Sequence, residues 1–269
     1  MVRSVTLKAV LQVGIVLLAG AVTGQSQTPI APAAGVINAA SFLSPIAPGG
    51  LISIFGSNLA SALAVADTVP ISTSLGNVSV TFNGIAAPLM FVSGGQVNAQ
   101  LPWEIPPSGT ADMVVTSNGQ PSTSVSVPVG PFSPGIFADG TQAIAYGNSD
   151  GIIAAAVGAL PPLTTHPAKI NDPLTLAILA TGLGPVNPPV QTGNNVTDGV
   201  AHTTATSPTV TVGGVQAQLV FSGMSPQFVG VYQLNIVIAP GTPTGNAVPL
   251  QISIGGVTSP STITIAVSN

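Results

Sequence analysis

Two stretches, one in each half of the chain, set a glutamine and an asparagine two residues apart in an alternating apolar run. The first is Gly95-Gln96-Val97-Asn98-Ala99-Gln100-Leu101-Pro102; the second is Tyr232-Gln233-Leu234-Asn235-Ile236-Val237-Ile238-Ala239-Pro240. In an extended strand successive side chains point to opposite faces. Gln96 and Asn98, like Gln233 and Asn235, therefore share one face, while Val97, Ala99 and Leu101, or Leu234, Ile236 and Ile238, fill the other. A row of amides is suited to glycan hydroxyls. It is equally suited to satisfying the backbone groups of neighbouring loops, the usual fate of buried polar side chains. Because the pattern occurs twice, the structural role is the preferred expectation. Trp103, after Pro102, joins Gln96, Asn98, Gln233 and Asn235 as a candidate binding residue, offering a stacking face for a sugar ring or a packing anchor between sheet and loop.

Three other constellations suggest chemistry. Gly147-Asn148-Ser149-Asp150-Gly151 has the Gly-x-Ser-x-Gly form of a nucleophile elbow, and Asp172 and His202 follow in the Ser, Asp, His order of α/β-hydrolases. That fold needs several helices on a parallel sheet, and here only Ile152 to Leu160 offers a helical stretch before Pro161-Pro162. Asn-Ser-Asp-Gly is also ordinary turn chemistry, so a serine hydrolase using Ser149 is the alternative and not the expectation. Asn148 with Asp150, and Asn194 with Asp198, offer oxygens to calcium, but six to eight ligands are needed and the acids do not cluster. A calcium-stiffened extracellular spacer is thus a further alternative. His166 and His202 lack metal-ligand spacing, and Asp67, Glu104, Asp112 and Asp139 lack the pairing of a glycosidase. No catalytic residue, metal site or cofactor is expected.

The elements that must carry these residues are short strands. In 269 residues, 45% are hydrophobic and only 4% charged, with 31 Gly and 26 Pro. Long exposed helices depend on charged i,i+4 pairs and on residues scarce here, whereas Val, Ile and Thr runs punctuated by Gly and Pro read as strands and tight turns. Asn83-Gly84 between alternating segments is a strong hairpin signal. The second half answers the first: Thr211-Val212-Gly213-Gly214-Val215 matches Thr81-Phe82-Asn83-Gly84-Ile85 at an offset of 130 residues, and Gln233 matches Gln96 at 137. The second copy has therefore gained seven residues, placed by the pattern within Ser222 to Gly230. The fold class expected is all-β, two tandem immunoglobulin-like β-sandwiches of about seven strands each.

Arg3 and Lys8 precede an apolar run from Ala9 to Val22 and small residues up to Gly24, the order of a secretory signal peptide. The expected organisation is a signal peptide over 1–24, a lead-in over 25–47, a first sandwich over 48–130 and a second over 131–269 with an extra hairpin at 135–156. The run is short for a bilayer span, so no stable membrane insertion is expected after cleavage. With three Lys+Arg against seven Asp+Glu the net charge is −4, which leaves no basic patch for a nucleic-acid backbone. No cysteine is present, so stability comes from cores and hydrogen bonds. A secreted or cell-surface location, with glycans or cell-envelope proteins as partners, fits a surface of hydroxyls and amides.

Several motifs in a fixed order resemble a known family: Phe55-Gly56-Ser57-Asn58-Leu59-Ala60, Ala87-Pro88-Leu89, Val92-Ser93 through Gln96-Val97-Asn98, Pro102-Trp103-Glu104, Pro134-Gly135-Ile136-Phe137, Thr181-Gly182-Leu183-Gly184 and Gly230-Val231-Tyr232-Gln233-Leu234-Asn235. Together, over roughly Val36 to Val267, the chain is similar to the Solibacter-type uncharacterised C-terminal domain of secreted acidobacterial proteins. Each half also resembles the immunoglobulin-like IPT/TIG module through its early Gly-x-Asn-Leu turn and closing strand. The resemblance implies a secreted, bacterial β-sandwich array with no assigned activity, so it brings no catalytic residues. Lys169-Ile170-Asn171-Asp172-Pro173 departs from the family's Gly-Asp turn.

Overall fold

The computed structural model describes residues 27–269; the segment read as a signal peptide lies outside the described residues. Strands dominate, and the one helical element among the described residues is a 3-10 turn at Ala33–Gly35. The stretch Ile152 to Leu160, the one helical candidate, forms the short strand Ile153–Ala154 and then turns, because Gly158 and Pro161-Pro162 leave too few residues for a helix to nucleate.

In the first half a five-stranded sheet orders Val36–Asn38, Leu51–Phe55, Gln96–Gln100, Leu89–Val92 and Ala64–Val65. The facing sheet is built on Val78–Phe82, Gly109–Ser117 and Val125–Val129. Counting the seven longest strands along the chain, 1-2-5-4 make one sheet and 3-6-7 the other, which is the immunoglobulin arrangement. Ordered pairing begins inside the segment read as a lead-in, since Val36 to Asn38 pair with Ile54 to Ile52 and Ile30 bridges Ser57.

The second half repeats this order. Ala145–Gly147, Leu176–Thr181, Tyr232–Val237 and Gln218–Met224 lie side by side in one sheet. Thr209–Val212, Gly245–Ile254 and Thr264–Ser268 form the core of the other. The two amide strands therefore occupy equivalent positions. Each is fifth of its seven, lying between the second strand (Leu51–Phe55 or Leu176–Thr181) and the fourth. The fourth strand carries a bulge at the same place in both copies, between Leu89 and Phe91 and between Leu219 and Phe221. Val92 pairs with Val97, and its counterpart Ser222 pairs with Leu234. The offset thus rises from 130 to 137 across this hairpin, which is longer in the second copy.

Turn chemistry is duplicated as well. Asn83-Gly84, Asn118-Gly119, Gly213-Gly214 and Gly255-Gly256 each join two paired strands with both residues at positive φ. This is the two-residue turn whose twist matches that of the strands it connects. Ala138–Asp139 pairs with Gln142–Ala143, and Tyr146 pairs with Ile153 across the Asn148 to Gly151 turn, so the stretch at 135–156 forms two small hairpins.

Each sandwich closes over its own core. Val36, Ile52, Ile54, Val80, Phe82 and Met113 belong to the first, and Ile136, Ile178, Tyr232, Leu234, Leu250 and Ile265 to the second. A third apolar cluster joins Leu51 and Met90 of the first half to Leu179, Val229 and Val231 of the second, with Phe137, Ile144, Tyr146 and Phe228 against it. Leu51 and Leu179 point away from the core residues that flank them in their strands, so this cluster lies on the outer faces of the two amide-bearing sheets.

Candidate functional site

The seam between the halves is fastened by buried polar side chains. Asn38, 2% exposed, donates from Nδ2 to Ser133 O at 2.6 Å, while its Oδ1 accepts from the backbone N–H groups of Ala40 and Ser41. Gln100, fully buried, donates from Nε2 to Gly49 O at 3.1 Å and accepts at Oε1 from Gly193 N at 2.7 Å. Thr181 Oγ1 accepts from Leu51 N and donates to Gly230 O, both at 2.8 Å. Gly182 makes the closest approach at φ 76, and a Cβ there would fall 2.0 Å from Ser133 O. Only glycine suits both that dihedral and that contact. Unpaired, such buried groups would each cost about 1–3 kcal/mol; paired across the seam, they fix how the two sheets meet.

Trp103 belongs to the seam. Its backbone N–H donates to Thr192 Oγ1, whose hydroxyl donates to Glu104 Oε2. The indole lies on Gly49, where a Cβ would fall 2.2 Å from the ring, and packs against the second core. The ring face is used in packing.

Gln96 and Asn98 do lie on one outward face, and so do Gln233 and Asn235. Their partners differ from the expectation, however. The amides do not reach into loops: Gln96 Nε2 donates to Asn98 Oδ1 at 2.8 Å, and Gln233 Nε2 donates to Asn235 Oδ1 at the same distance. Residues two apart on a strand face stand close enough for a glutamine to bridge to its neighbour, so the bond closes within the strand. In the first copy Ser53 Oγ also donates to Asn98 Oδ1 at 3.0 Å, and Gln96 is buried. In the second, both amides are half-buried. Among the described residues, Gln233 Oε1 and Asn235 Nδ2 form no side-chain hydrogen bond, leaving one acceptor and two N–H donors side by side.

Cross-strand register places two aromatic residues beside that pair. Tyr146 pairs with Ala177, Ala177 with Asn235 and Asn235 with Phe221. All four side chains point outward in one row, with small Ala177 between Tyr146 and Asn235. Three strand spacings separate the two rings, about 14 Å. Tyr146, Asn235 and Phe221 are each partly exposed, and burial pushes the Tyr146 phenol above its ordinary pKa. The equivalent row of the first copy is Ile37, Ser53, Asn98 and Phe91; Phe91 is only 5% exposed.

The elbow-like segment is a turn between short strands. Ser149 and Asp172 line a common cavity with His166, whereas His202 is buried elsewhere, with Nδ1 on Pro188 O at 2.7 Å and Nε2 on Asp198 Oδ2 at 3.1 Å. His166 has Nδ1 on Pro167 O at 2.9 Å and Nε2 on Asp150 Oδ2 at 2.8 Å. Both ring nitrogens face acceptors, so neither is open to take a proton from Ser149. Of the calcium candidates, Asp150 accepts from Ile152 N and His166, and Asp198 from Val200 N and His202, while Asn148 and Asn194 donate through Nδ2 to Thr175 Oγ1 and Gln191 Oε1. No group of three metal-type side chains occurs among the described residues.

The hydrogen bond to Pro167 O, then that to Asp150, holds the His166 pKa above its ordinary value. Partial burial works to raise that of Asp150, but the Ile152 N–H and His166 outweigh it and leave it lowered. The imidazolium contribution is complete below the unfolded histidine pKa and fades as pH rises through the raised folded one. The carboxylate contribution is complete above the unfolded aspartate pKa and fades as pH falls through the lowered folded one. The pair is thus most stabilising at roughly pH 4–6.5, and its solvent exposure limits it to under about 1 kcal/mol. Melting temperature is expected to drop slightly from pH 6 to pH 8, and His166→Asn should flatten that drop.

No family model matches the chain, and no curated protein matches it by sequence. Among solved structures it overlaps a surface glycan-binding protein from Prevotella bryantii at 12% identity and TM-score 0.26, covering 87% of this chain and 41% of that one. A Bacteroides ovatus protein from a mixed-linkage glucan utilization locus, in complex with a mixed-linkage heptasaccharide, overlaps at 14% identity and TM-score 0.34, covering 83% and 43%. Domains 5–6 of the S-layer protein SbsC overlap at 13% and 0.25, covering 90% and 99%. This chain therefore spans less than half the length of either glycan-related protein. The immunoglobulin-like assignment stands on strand order and register alone.

Proposed function

We propose that the chain is an exported, non-catalytic module of two sandwiches locked together, which presents the strip Tyr146, Asn235, Gln233 and Phe221 to a neutral polymer, a glycan by chemistry. The observation that carries this reading is the cross-strand row that sets two partly buried aromatic rings about 14 Å apart with an amide pair between them. Sugar rings offer apolar faces to aromatic rings and hydroxyls to amides, and a strip without charged side chains suits an uncharged ligand. Export is supported by the order of Arg3, Lys8, the apolar run Ala9 to Val22 and the small residues up to Gly24, and the Solibacter-type motifs agree with it. No helix among the described residues is long and apolar enough to cross a membrane. The seam supports a structural side to the role, because rigid placement lowers the ordering cost of binding an extended ligand.

Affinity electrophoresis through gels containing neutral polysaccharides tests the reading. Phe221→Ala is expected to abolish most of the retardation of the parent protein while leaving its melting temperature within a few degrees; Tyr146→Ala should abolish it as well, but with a lower melting temperature, because that ring also packs against the cluster joining the two halves. Retardation that survives both substitutions would place the ligand elsewhere, and no retardation by any neutral polysaccharide would remove the glycan reading.

A further inference from the structure

A cavity of about 480 Å³ opens at one end of the second sandwich. Its floor is apolar, made by Leu176, Ile236 and Ile238 where the core reaches the end of the sheets. Its rim gathers Asp150, His166, Lys169 and Asp172, with the hydroxyl of Ser149 beside them. In a chain with three Lys+Arg, seven Asp+Glu and two His, this concentration of charge around one opening is far from the even spread of a solvated surface.

Two of these groups take part in no ion pair. Among the described residues the ion pairs are His166 with Asp150 and His202 with Asp198. Lys169 and Asp172, three residues apart and of opposite charge, line the same cavity without pairing. Asp172 uses Oδ1 to accept from Leu174 N, and its other carboxylate oxygen stays open. Thr175, also on the rim, holds φ 57, a conformation that is a genuine outlier for a β-branched residue. It is pinned there by Asn148, whose Nδ2 donates to Thr175 Oγ1 at 2.6 Å and whose N–H donates to Thr175 O at 3.1 Å. Strain of this kind persists where the surroundings enforce it and gathers at ligand sites.

We infer that this cavity binds a small zwitterion with an apolar body, an aliphatic α-amino acid such as leucine: Lys169 takes the carboxylate, Asp172 takes the ammonium, and the side chain lies on Leu176, Ile236 and Ile238. The volume falls in the range of small-molecule sites, about 300–1,000 Å³. Charge-assisted hydrogen bonds at the mouth orient the ligand, while the apolar floor supplies the burial. The His166–Asp150 pair occupies one side of the rim and its members are bonded to each other, so the two unpaired charges are those of Lys169 and Asp172.

Titration calorimetry of the whole chain with L-leucine, isoamylamine, 3-methylbutanoate and D-glucose tests this. Saturable binding of leucine is expected, with weaker binding of isoamylamine, which lacks the carboxylate, and of 3-methylbutanoate, which lacks the ammonium. Lys169→Gln should weaken leucine about tenfold or more while leaving isoamylamine unchanged. Asp172→Asn should do the reverse with 3-methylbutanoate, and Lys169→Arg should restore leucine binding. Both rim side chains lie at the surface end of the cavity, and an unchanged melting temperature for each variant confirms that the fold is intact. The inference is overturned if leucine does not bind saturably, if Lys169→Gln binds leucine as the parent does, or if D-glucose binds as tightly as leucine. None of these outcomes bears on polysaccharide retardation through Tyr146 and Phe221.

Discussion

Replacing Tyr232 by alanine is expected to remove about 3–5 kcal/mol of stability, the scale on which large buried aromatics are lost. Tyr232 is fully buried and among the largest side chains with no exposure in either core. It sits where the amide strand pairs with Ala180 on one side and Met224 on the other. Its hydroxyl donates to Gly184 O, so the ring and the polar end are both committed. Burial drives the phenol pKa far above its ordinary value. Tyr232→Phe separates the two contributions. It keeps the ring and leaves Gly184 O without its partner, for an expected loss of about 1–3 kcal/mol. Urea denaturation of both variants measures this, and an alanine variant within 1 kcal/mol of the parent would contradict the core described for the second sandwich.

Gln100→Ala is expected to cost about 2–4 kcal/mol and, more tellingly, to split unfolding into two steps. The side chain is fully buried and serves both sides of the seam, donating to Gly49 O and accepting from Gly193 N. Alanine leaves both backbone groups buried and unpaired, at about 1–3 kcal/mol each, and no water replaces them unless the seam opens. Asn38 and Thr181 fasten the same junction, so losing Gln100 weakens a shared network and not an isolated bond. In the parent, calorimetric and van't Hoff enthalpies should agree for the pair as one cooperative unit. Two resolved transitions in the parent would show that the sandwiches fold independently and that the seam does not lock them.

The repeated amide strand was legible from residue types alone, because side-chain alternation has a period of two and the same spacing occurs twice. The two-residue turns were legible for a similar reason. Asn83-Gly84 and Gly213-Gly214 meet a local dihedral requirement that no distant contact changes. What the amides bond to was not legible. Gln96 closes onto Asn98, and Gln233 onto Asn235, and Ser53 of the neighbouring strand adds a bond to Asn98 in the first copy, which only the strand order decides. Gln100 continues the face of Gln96 and Asn98 and so carried a signal. Its importance comes from Gly193, which lies 93 positions away.

The sequence by itself determined the strand content, the duplication, the tight turns and the poverty of charge, since these follow from local dihedral preference and side-chain period. The tertiary structure alone decided that Tyr146 and Phe221 stand in one row with Asn235, that Trp103 spends its ring on the seam, and that Lys169 and Asp172 share a cavity mouth. Those juxtapositions depend on strand order and on the angle at which two sheets meet. Both are set by the summed burial of many residues, and no short segment encodes either.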